Sequence, residues 1–414
     1  MTGRIRVGLV GASPLDLCAL APLQRSRSSL EWTPAALEAR DDAGANLVVR
    51  QAPLMRGVHR VGERDVNGLP GFLADSLPDA WGRLLVDRQL RAAGVQPATL
   101  RGIDRLAIVG QRGPGALVYE PQVELGETTT AMATILDLDA LARGAEALLE
   151  GEPAHILDDL QRLGGSAGGS RPKVWAALTP EGRLRSGAHA LEPGETGWLI
   201  KFRAPQHDPP DMAALEYAYA LMARAAGIEV AEPRLFETAS GGRYFGSRRF
   251  DREGTKRIHV LTAAGLLNTS PDAAAAFDYV DLLGVVGHVT RSQEDVLAAY
   301  RLAVFNVLAH NRDDHLKQFA FRRMEGRWRL APAYDLTFSH GPGGEHTLLV
   351  AGEGRHPGKE HLEELAARRA LKSRRVTAVV GEVRAAVKNW AHFAEQASVS
   401  DATCAEVQTR LDAL

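Results

Sequence analysis

The chain has 414 residues, 45% of them hydrophobic, with 49 basic against 51 acidic side chains and a formal net charge of −2. That length and apolar content build two or three structural units with sizeable cores. The near-cancelling charge excludes a global field that would carry the protein onto nucleic acid or an acidic membrane, so any DNA contact has to be local or supplied by a partner. Cys18 and Cys404 are the only cysteines and stand near opposite ends. This argues against a disulfide framework or a cysteine-rich zinc site and is consistent with a reducing cytoplasm.

At the N-terminus, Arg4 and Arg6 precede Val7-Gly8-Leu9-Val10-Gly11, superficially like a secretion signal, but Pro14 and Asp16 interrupt the run. No stretch approaches the length needed to cross a membrane. Gly8 and Gly11 lack the third glycine and the helix pattern of a dinucleotide fold, so a strand and turn are predicted. Gly110, Gly113 and Gly115 read the same way, as hairpin punctuation. Residues 1–125 alternate short strands with one clear helix over 79–93. The polar, Ala-rich stretch that follows predicts a connector and a helix beginning near Asp137.

Next comes Gly164-Gly165-Ser166-Ala167-Gly168-Gly169-Ser170-Arg171-Pro172-Lys173, ahead of the strand pattern Val174-Trp175-Ala176-Ala177-Leu178. Glycines there let backbone N–H groups approach phosphate oxygens, although a Gly/Ser run alone is more often a flexible connector. Trp198-Leu199-Ile200-Lys201-Phe202 buries a lysine in an apolar strand, costly unless an anion is present; an edge lysine snorkelling to water is the alternative. A helix is predicted over 211–226, stopped by Gly227, and carries Glu216, a candidate partner of Lys201 that read alone is an ordinary solvated carboxylate. A hairpin around Ser240-Gly241-Gly242 leads into Ser247-Arg248-Arg249-Phe250-Asp251-Arg252, where a hinge between lobes is expected.

Apolar residues at helical spacing over 294–309 predict a buried helix that delivers His310-Asn311-Arg312-Asp313-Asp314-His315-Leu316-Lys317-Gln318 to a cleft. Two short strands around Met324-Glu325-Gly326 follow, then Tyr334-Asp335. Asp and Asn after a helix are commonly caps and turn formers. In this order, however, they outline a protein-kinase active site, in which a first carboxylate accepts the hydroxyl proton while an amide side chain and a second carboxylate hold magnesium. Asp313, Gln318 and Asp335 fill those places. One long terminal helix is predicted over 376–397.

Taken together, these motifs resemble the HipA-type serine/threonine protein kinases, the toxin component of bacterial toxin–antitoxin pairs, along nearly the whole chain. The segments 72–83, 106–110 and 113–117 resemble that family's N-terminal domain, and 345–352 a segment of its C-terminal lobe. The resemblance implies an α+β, two-lobed kinase-like fold: an N-terminal accessory domain over 1–125 packed on the small lobe, a connector over 126–163, the small lobe over 164–250 and a mainly helical large lobe over 251–414.

It also implies ATP and Mg2+ as cofactors. Asp313 would be the proton acceptor, and His315, Leu316, Lys317, Gln318, Tyr334 and Asp335 the nucleotide site, with Gln318 and Asp335 on the metal. Gly168, Gly169, Ser170, Arg171, Pro172, Lys173 and Lys201 would contact phosphates, Arg248, Arg249 and Phe250 the adenine, and Glu216 would pair with Lys201. Ser166 occupies the place of an inhibitory autophosphorylation site. Two positions depart from the family: Gln318 stands where Asn is usual, and Arg248 where a glutamate is often seen. The implied partners are a helix-turn-helix antitoxin, operator DNA through that antitoxin, and a protein substrate of the aminoacyl-tRNA synthetase class. The basic run Arg368, Arg369, Lys372, Arg374 and Arg375 is expected to be a solvated helix face before a contact to the DNA backbone. A small-molecule kinase, a pseudokinase acting as a binding module and a two-carboxylate metal hydrolase are the competing readings.

Overall fold

The computed structural model describes residues 3–11, 14–23, 27–39, 54–61, 66–125, 134–152, 157–165, 169–187, 190–269 and 277–413; the expectations for Ser166 and Gly168 lie outside them. The N-terminal domain is built on an antiparallel sheet of β1 (Ile5–Leu9), β2 (Leu15–Pro22), β3 (Ser28–Trp32), β4 (Val58–Arg60) and β5 (Leu117–Glu120), in the order β4-β3-β2-β1-β5. In β1, Ile5, Val7 and Leu9 are buried while Arg6 is exposed, the period-two pattern of a sheet with one face on a core. Its helices are α1 (Pro34–Glu38), α2 (Gly71–Ala74), α3 (Ala80–Ala92) and α4 (Gly102–Val109). The sequence reading foresaw only α3. α4 is short and ends in the continuous apolar run Leu106-Ala107-Ile108-Val109, so periodicity cannot distinguish it from a buried strand.

Helices α5 (Leu138–Leu149), capped by the Asp137 carboxylate, and α6 (Leu157–Gly164) lead to a second antiparallel sheet. It comprises β6 (Lys173–Leu178), β7 (Leu184–Arg185), β8 (Thr196–Lys201), β9 (Pro233–Glu237) and β10 (Arg243–Arg248) in the order β7-β6-β8-β10-β9, with α7 (Met212–Ala225) between β8 and β9. Val174, Ala176, Trp198 and Ile200 pack on Trp81 and Leu85 of α3 and on apolar residues of α5 and α6. Alternation then turns Lys173, Trp175, Leu199 and Lys201 to the other face, where the register sets Lys173 beside Lys201 and Trp175 beside Leu199.

Past the two-residue strands β11 (Arg252–Glu253) and β12 (Lys256–Arg257), a three-stranded sheet joins β13 (Val260–Thr262), β14 (Ala320–Met324) and β15 (Arg327–Leu330). Glu325 and Gly326, both at positive φ, make the tight β14–β15 turn. The remainder is helical: α8 (Ala263–Leu267), α9 (Tyr279–Thr290), α10 (Gln293–Leu308), α11 (Lys359–Arg368), α12 (Ser373–Lys388), α13 (Trp390–Ala397) and α14 (Asp401–Leu411). The single terminal helix expected over 376–397 is thus two, broken at Asn389, because the fully buried Trp390 turns in to donate to the Cys404 carbonyl at 3.2 Å. No helix among the described residues is long and apolar enough to cross a membrane.

The N-terminal domain packs on both lobes rather than on the small lobe alone. α2 and α8 meet through glycine, where a Cβ on Gly71 would lie 2.3 Å from the Gly265 carbonyl oxygen. Beside that contact Asp75 accepts from the Thr262 amide at 2.7 Å and its hydroxyl at 2.6 Å. At the hinge, Asp251 is held by Arg249 (2.7 Å), Arg252 (2.6 Å) and the Gly115 N–H (2.8 Å), and Arg257 donates to the carbonyls of Gln111, Gly113, Gly115 and Leu117. Burial resists ionisation of Asp251, but the two arginines keep its pKa far below the carboxylate range. Replacing Asp251 by Ala strands buried guanidinium groups without their counter-ion and is expected to destabilise the fold by about 3–5 kcal/mol. Calorimetric unfolding of Asp251→Ala against wild type measures it, and a midpoint equal to wild type would refute this role.

Candidate functional site

The face of β6 and β8 that carries lysines looks across a cleft at the loop after α10. Lys201, with only 5% of its side chain exposed, donates to Glu216 of α7 at 2.6 Å and pairs with Asp335 of the large lobe. Asp335 sits at φ +58, a left-handed backbone that a non-glycine residue adopts only where its surroundings enforce it. Its second oxygen accepts from the Gln318 amide nitrogen at 2.9 Å. Burial opposes charge on both members of the pair. Asp335 and Glu216 nevertheless raise the Lys201 pKa, while Lys201, Lys173 and the Gln318 bond hold Asp335 well below its ordinary value. Lys173, 3% exposed, has its pKa lowered by burial and by Lys201, against the attraction of Asp335.

Asp313 stands at the open side of this group with 45% of its side chain exposed and His315 Nε2 at 3.9 Å from its Oδ1. Since His315 Nδ1 accepts the Lys317 backbone N–H at 3.2 Å, the ring proton belongs on Nε2, toward Asp313. Desolvation and the nearby Asp335 raise the Asp313 pKa, with His315 and Arg171 opposing. The loop is held by a buried network that the sequence reading did not foresee. Asn311 donates to Asn306, Asn306 to the Tyr279 hydroxyl, and Tyr279 to Asp314 at 2.7 Å; His346 and the Thr347 N–H complete the shell of Asp314. Neighbouring aspartates thereby divide, with Asp314 fully buried as an anchor and Asp313 left facing the cleft.

Two adjoining cavities share Asp79, Gly169, Lys173, Lys317, Gln318 and Asp335. One, of about 190 Å³, runs past Trp175, Leu199, Phe250 and Tyr334; the other, of about 310 Å³, opens on Ser170, Arg171 and Asp313. Arg171 donates to Asp208 at 2.9 Å and reaches Glu216 at 4.0 Å. The Phe250 and Tyr334 rings lie 5.5 Å apart, and the Arg249 guanidinium stacks 4.1 Å over Trp175. Arg248 lines the smaller cavity as well, and its half-exposed side chain pairs with Glu232 at 2.9 Å on the face shared with its register partner Trp198. Leu316 and Pro172 are buried and line neither cavity; Leu316 packs in the core and the Pro172 carbonyl accepts from Phe202.

A triphosphate fits this donor set: four cationic side chains, Arg171, Lys173, Lys201 and Lys317, with the Gly169 segment alongside. The apolar cavity holds a matching signal, the Trp175 indole N–H, buried and without a hydrogen-bond partner. No group of three His, Cys, Asp or Glu among the described residues could hold a metal by itself. Magnesium suits such a site, because it takes one or two carboxylates and completes its shell with phosphate oxygens and water; Asp335 and the Gln318 amide oxygen are the protein ligands on offer.

Residues 165–390 match the HipA-like C-terminal domain, and residues 16–120 the HipA N-terminal domain. The chain belongs to the HipA family. It is 26% identical over 283 residues to "Putative kinase Y4dM" and 28% identical over 288 residues to "Putative kinase Y4mE", both of Sinorhizobium fredii (strain NBRC 101917 / NGR234). The alignments take in 65% and 64% of this chain, and the chain spans 62% and 63% of the length of those relatives. Its fold matches a chain of the solved complex of the Shewanella oneidensis MR-1 toxin–antitoxin system HipA, HipB and its operator DNA, with a TM-score of 0.70 at 15% identity, covering 98% of this chain and 95% of that one. The fold is thus the mixed α+β, two-lobed, kinase-like one of the HipA family, with its N-terminal sheet domain and helical C-terminal region.

Asp75 and Asp79 of the N-terminal domain also enter this HipA-family cleft. Asp79 stood out in the sequence as a helix start within the 72–83 segment, and nothing local links it to Lys317, 238 positions away. The depressed pKa of Asp335 fixes a sign: the stability it contributes is present above the unfolded value of about 3.9 and is lost as pH falls toward its folded value. The stability gap between wild type and Asp335→Asn is therefore expected to be widest near neutrality and to close below about pH 4. Thermal midpoints of both proteins across pH 3–7, an interval chosen to bracket about 3.9, test this; a gap that widens on acidification would contradict it.

Proposed function

We propose that this chain is an ATP- and Mg2+-dependent serine/threonine protein kinase. The observation that carries the reading is the convergence of Lys201, Glu216 and Asp335, from a strand, a helix and the opposite lobe, on one point beside Asp313. Phosphoryl transfer needs little covalent help from the protein and much positioning and charge. Lys173, Lys201 and Arg171 hold phosphate oxygens. Asp313, its pKa raised, takes the proton of the acceptor hydroxyl, with the His315 Nε2–H turned toward it. Magnesium held by Asp335 and Gln318 would neutralise charge on the migrating group.

We further propose a toxin role, with an aminoacyl-tRNA synthetase as target and growth arrest as outcome, in a cytoplasmic setting. The family of the chain and the HipB and operator DNA of the Shewanella complex support a helix-turn-helix antitoxin as partner. DNA would be met through that antitoxin. The basic run spans the end of α11, the turn after it and the start of α12, not one helix face; Arg368 and Arg375 are paired with Glu364 and Glu294 and Arg369 donates to the Val280 carbonyl, which favours pairing within the chain over a contact to the DNA backbone. Phosphate on Ser166, three positions before Gly169, would add negative charge beside the ATP site and inhibit. A second reading, a nucleotide-binding module without transfer, is favoured by the engagement of both Asp335 oxygens by Lys201 and Gln318.

Labelled ATP with magnesium is expected to mark the wild-type chain, and Asp313→Ala to lose transfer by about 10²–10⁴-fold while still binding ATP. Equal labelling of both proteins rejects Asp313 as base, and binding without transfer in wild type selects the second reading. Because the base works deprotonated, kcat/KM is expected to fall on acidification, with its limb above the pKa of an ordinary aspartate. A pH–rate profile flat down to the ordinary aspartate value would exclude this.

A further inference from the structure

We infer that Asp79, at the N-terminus of α3, is a positioning residue through which the N-terminal domain sets the phosphate end of the cleft. Its Oδ2 accepts the Gly169 N–H at 2.8 Å and its Oδ1 pairs with Lys317. One carboxylate from a third domain therefore ties the small lobe to the large one at the mouth of the site. The contact belongs to a short run that serves the same purpose. The Trp81 N–H donates to the Gly169 carbonyl at 3.2 Å, and its indole N–H to the Lys173 carbonyl at 2.9 Å. The Gly169 peptide is thus gripped on both sides by residues of the N-terminal domain, and the strand that starts at Lys173 is gripped with it. On the far side, four residues earlier, Asp75 holds the Thr262 amide and hydroxyl of the large lobe.

The geometry at Gly169 leaves little play. Its φ is +89°, and a Cβ there would lie 2.3 Å from the Lys173 ammonium, so the peptide is folded down on that lysine. A peptide at positive φ with its N–H and its carbonyl both held externally presents one orientation to the cleft. Without the Asp79 carboxylate the N–H loses its acceptor, and the Lys317 ammonium loses the anion that fixes its direction. The lysine's other hydrogen bonds, from the Tyr334 hydroxyl to its backbone carbonyl and from its backbone N–H to His315 Nδ1, orient the main chain and leave the ammonium undirected. Asp79 is itself partly exposed, and burial raises its pKa less than Lys317, the Gly169 N–H and Lys173 lower it, so it stays ionised in this place.

The inference deepens the kinase reading and rests on it for its catalytic consequence, while its structural half can be tested without nucleotide. In full-length protein, Asp79→Ala is expected to speed amide exchange at Gly169 about tenfold and to raise the KM for ATP·Mg2+ by about the same factor, with kcat changed less than twofold; this corresponds to one charge-assisted hydrogen bond. Asp79→Asn keeps an acceptor for Gly169 but no charge for Lys317, so it is expected to restore the exchange rate and only part of the KM. In a Lys317→Met background the remaining KM effect of Asp79→Asn is expected to vanish. Unchanged Gly169 exchange in Asp79→Ala overturns the inference, and so does an equal fall in kcat and unfolding midpoint with KM unchanged, the mark of a role in folding alone. If wild type binds no ATP, the kinase reading fails, and Gly169 exchange still decides whether Asp79 holds the loop.

Discussion

The arrangement depends on one buried charge cluster, Lys201 between Glu216 and Asp335. An ammonium taken out of water in an apolar strand is costly, and two carboxylates in contact make it tolerable only if strand, helix and opposite lobe are all in place. The cluster therefore acts as a register mark for the fold. β8 must pair with β6 so that Lys201 lies beside Lys173, α7 must turn Glu216 inward, and the chain after β15 must adopt its strained backbone at Asp335. Buried ion pairs are weak sources of stability, but they penalise every packing in which a partner is missing.

A second buried network solves a different problem, how to leave one aspartate free in a run of polar residues. Asp314 accepts from Tyr279, His346 and Thr347, and Asn311 and Asn306 extend the chain of bonds into α10. Such networks are stiffest when every member is satisfied; here Asp314 has its full shell of donors, while the buried Asn311 amide oxygen has no hydrogen-bond partner. Rigidity behind the loop is what allows Asp313 to remain half exposed in front of it, at a defined distance from His315 and with a raised pKa. The anchor and the reactive group differ by one position and by which way the backbone faces.

The N-terminal domain completes the enclosure from a third side. Its core is continuous with that of the large lobe, its α3 packs into the small-lobe core, and its 111–117 loop is grasped by the hinge arginines. Three bodies that meet around one cleft make lobe motion a matter of all three interfaces. The family assignment and the matched fold agree with this interdependence, since the match to the Shewanella complex covers 98% of the chain and is not confined to the two lobes.

Much of this was legible in the residues. The helix over 293–308, the two hairpins, the start of α5 near Asp137 and the lysine strand follow from local periodicity and turn chemistry, which need only neighbours a few positions apart, while the carboxylates at 313 and 335 stood out by their order along the chain. The pairing of Glu216 with Lys201 was a candidate, and tertiary packing supplied the contact. Local pattern failed for α4 and for the break at Trp390, because a short apolar segment and a bend made by a buried indole are decided by what packs against them. The sequence by itself determined which groups carry charge and which strand and helix each rides on. Only the tertiary structure decided that Asp314 is buried while Asp313 is not, and that Asp79 reaches Lys317 across 238 positions, because burial and long-range ion pairs arise from packing and leave no mark in local spacing.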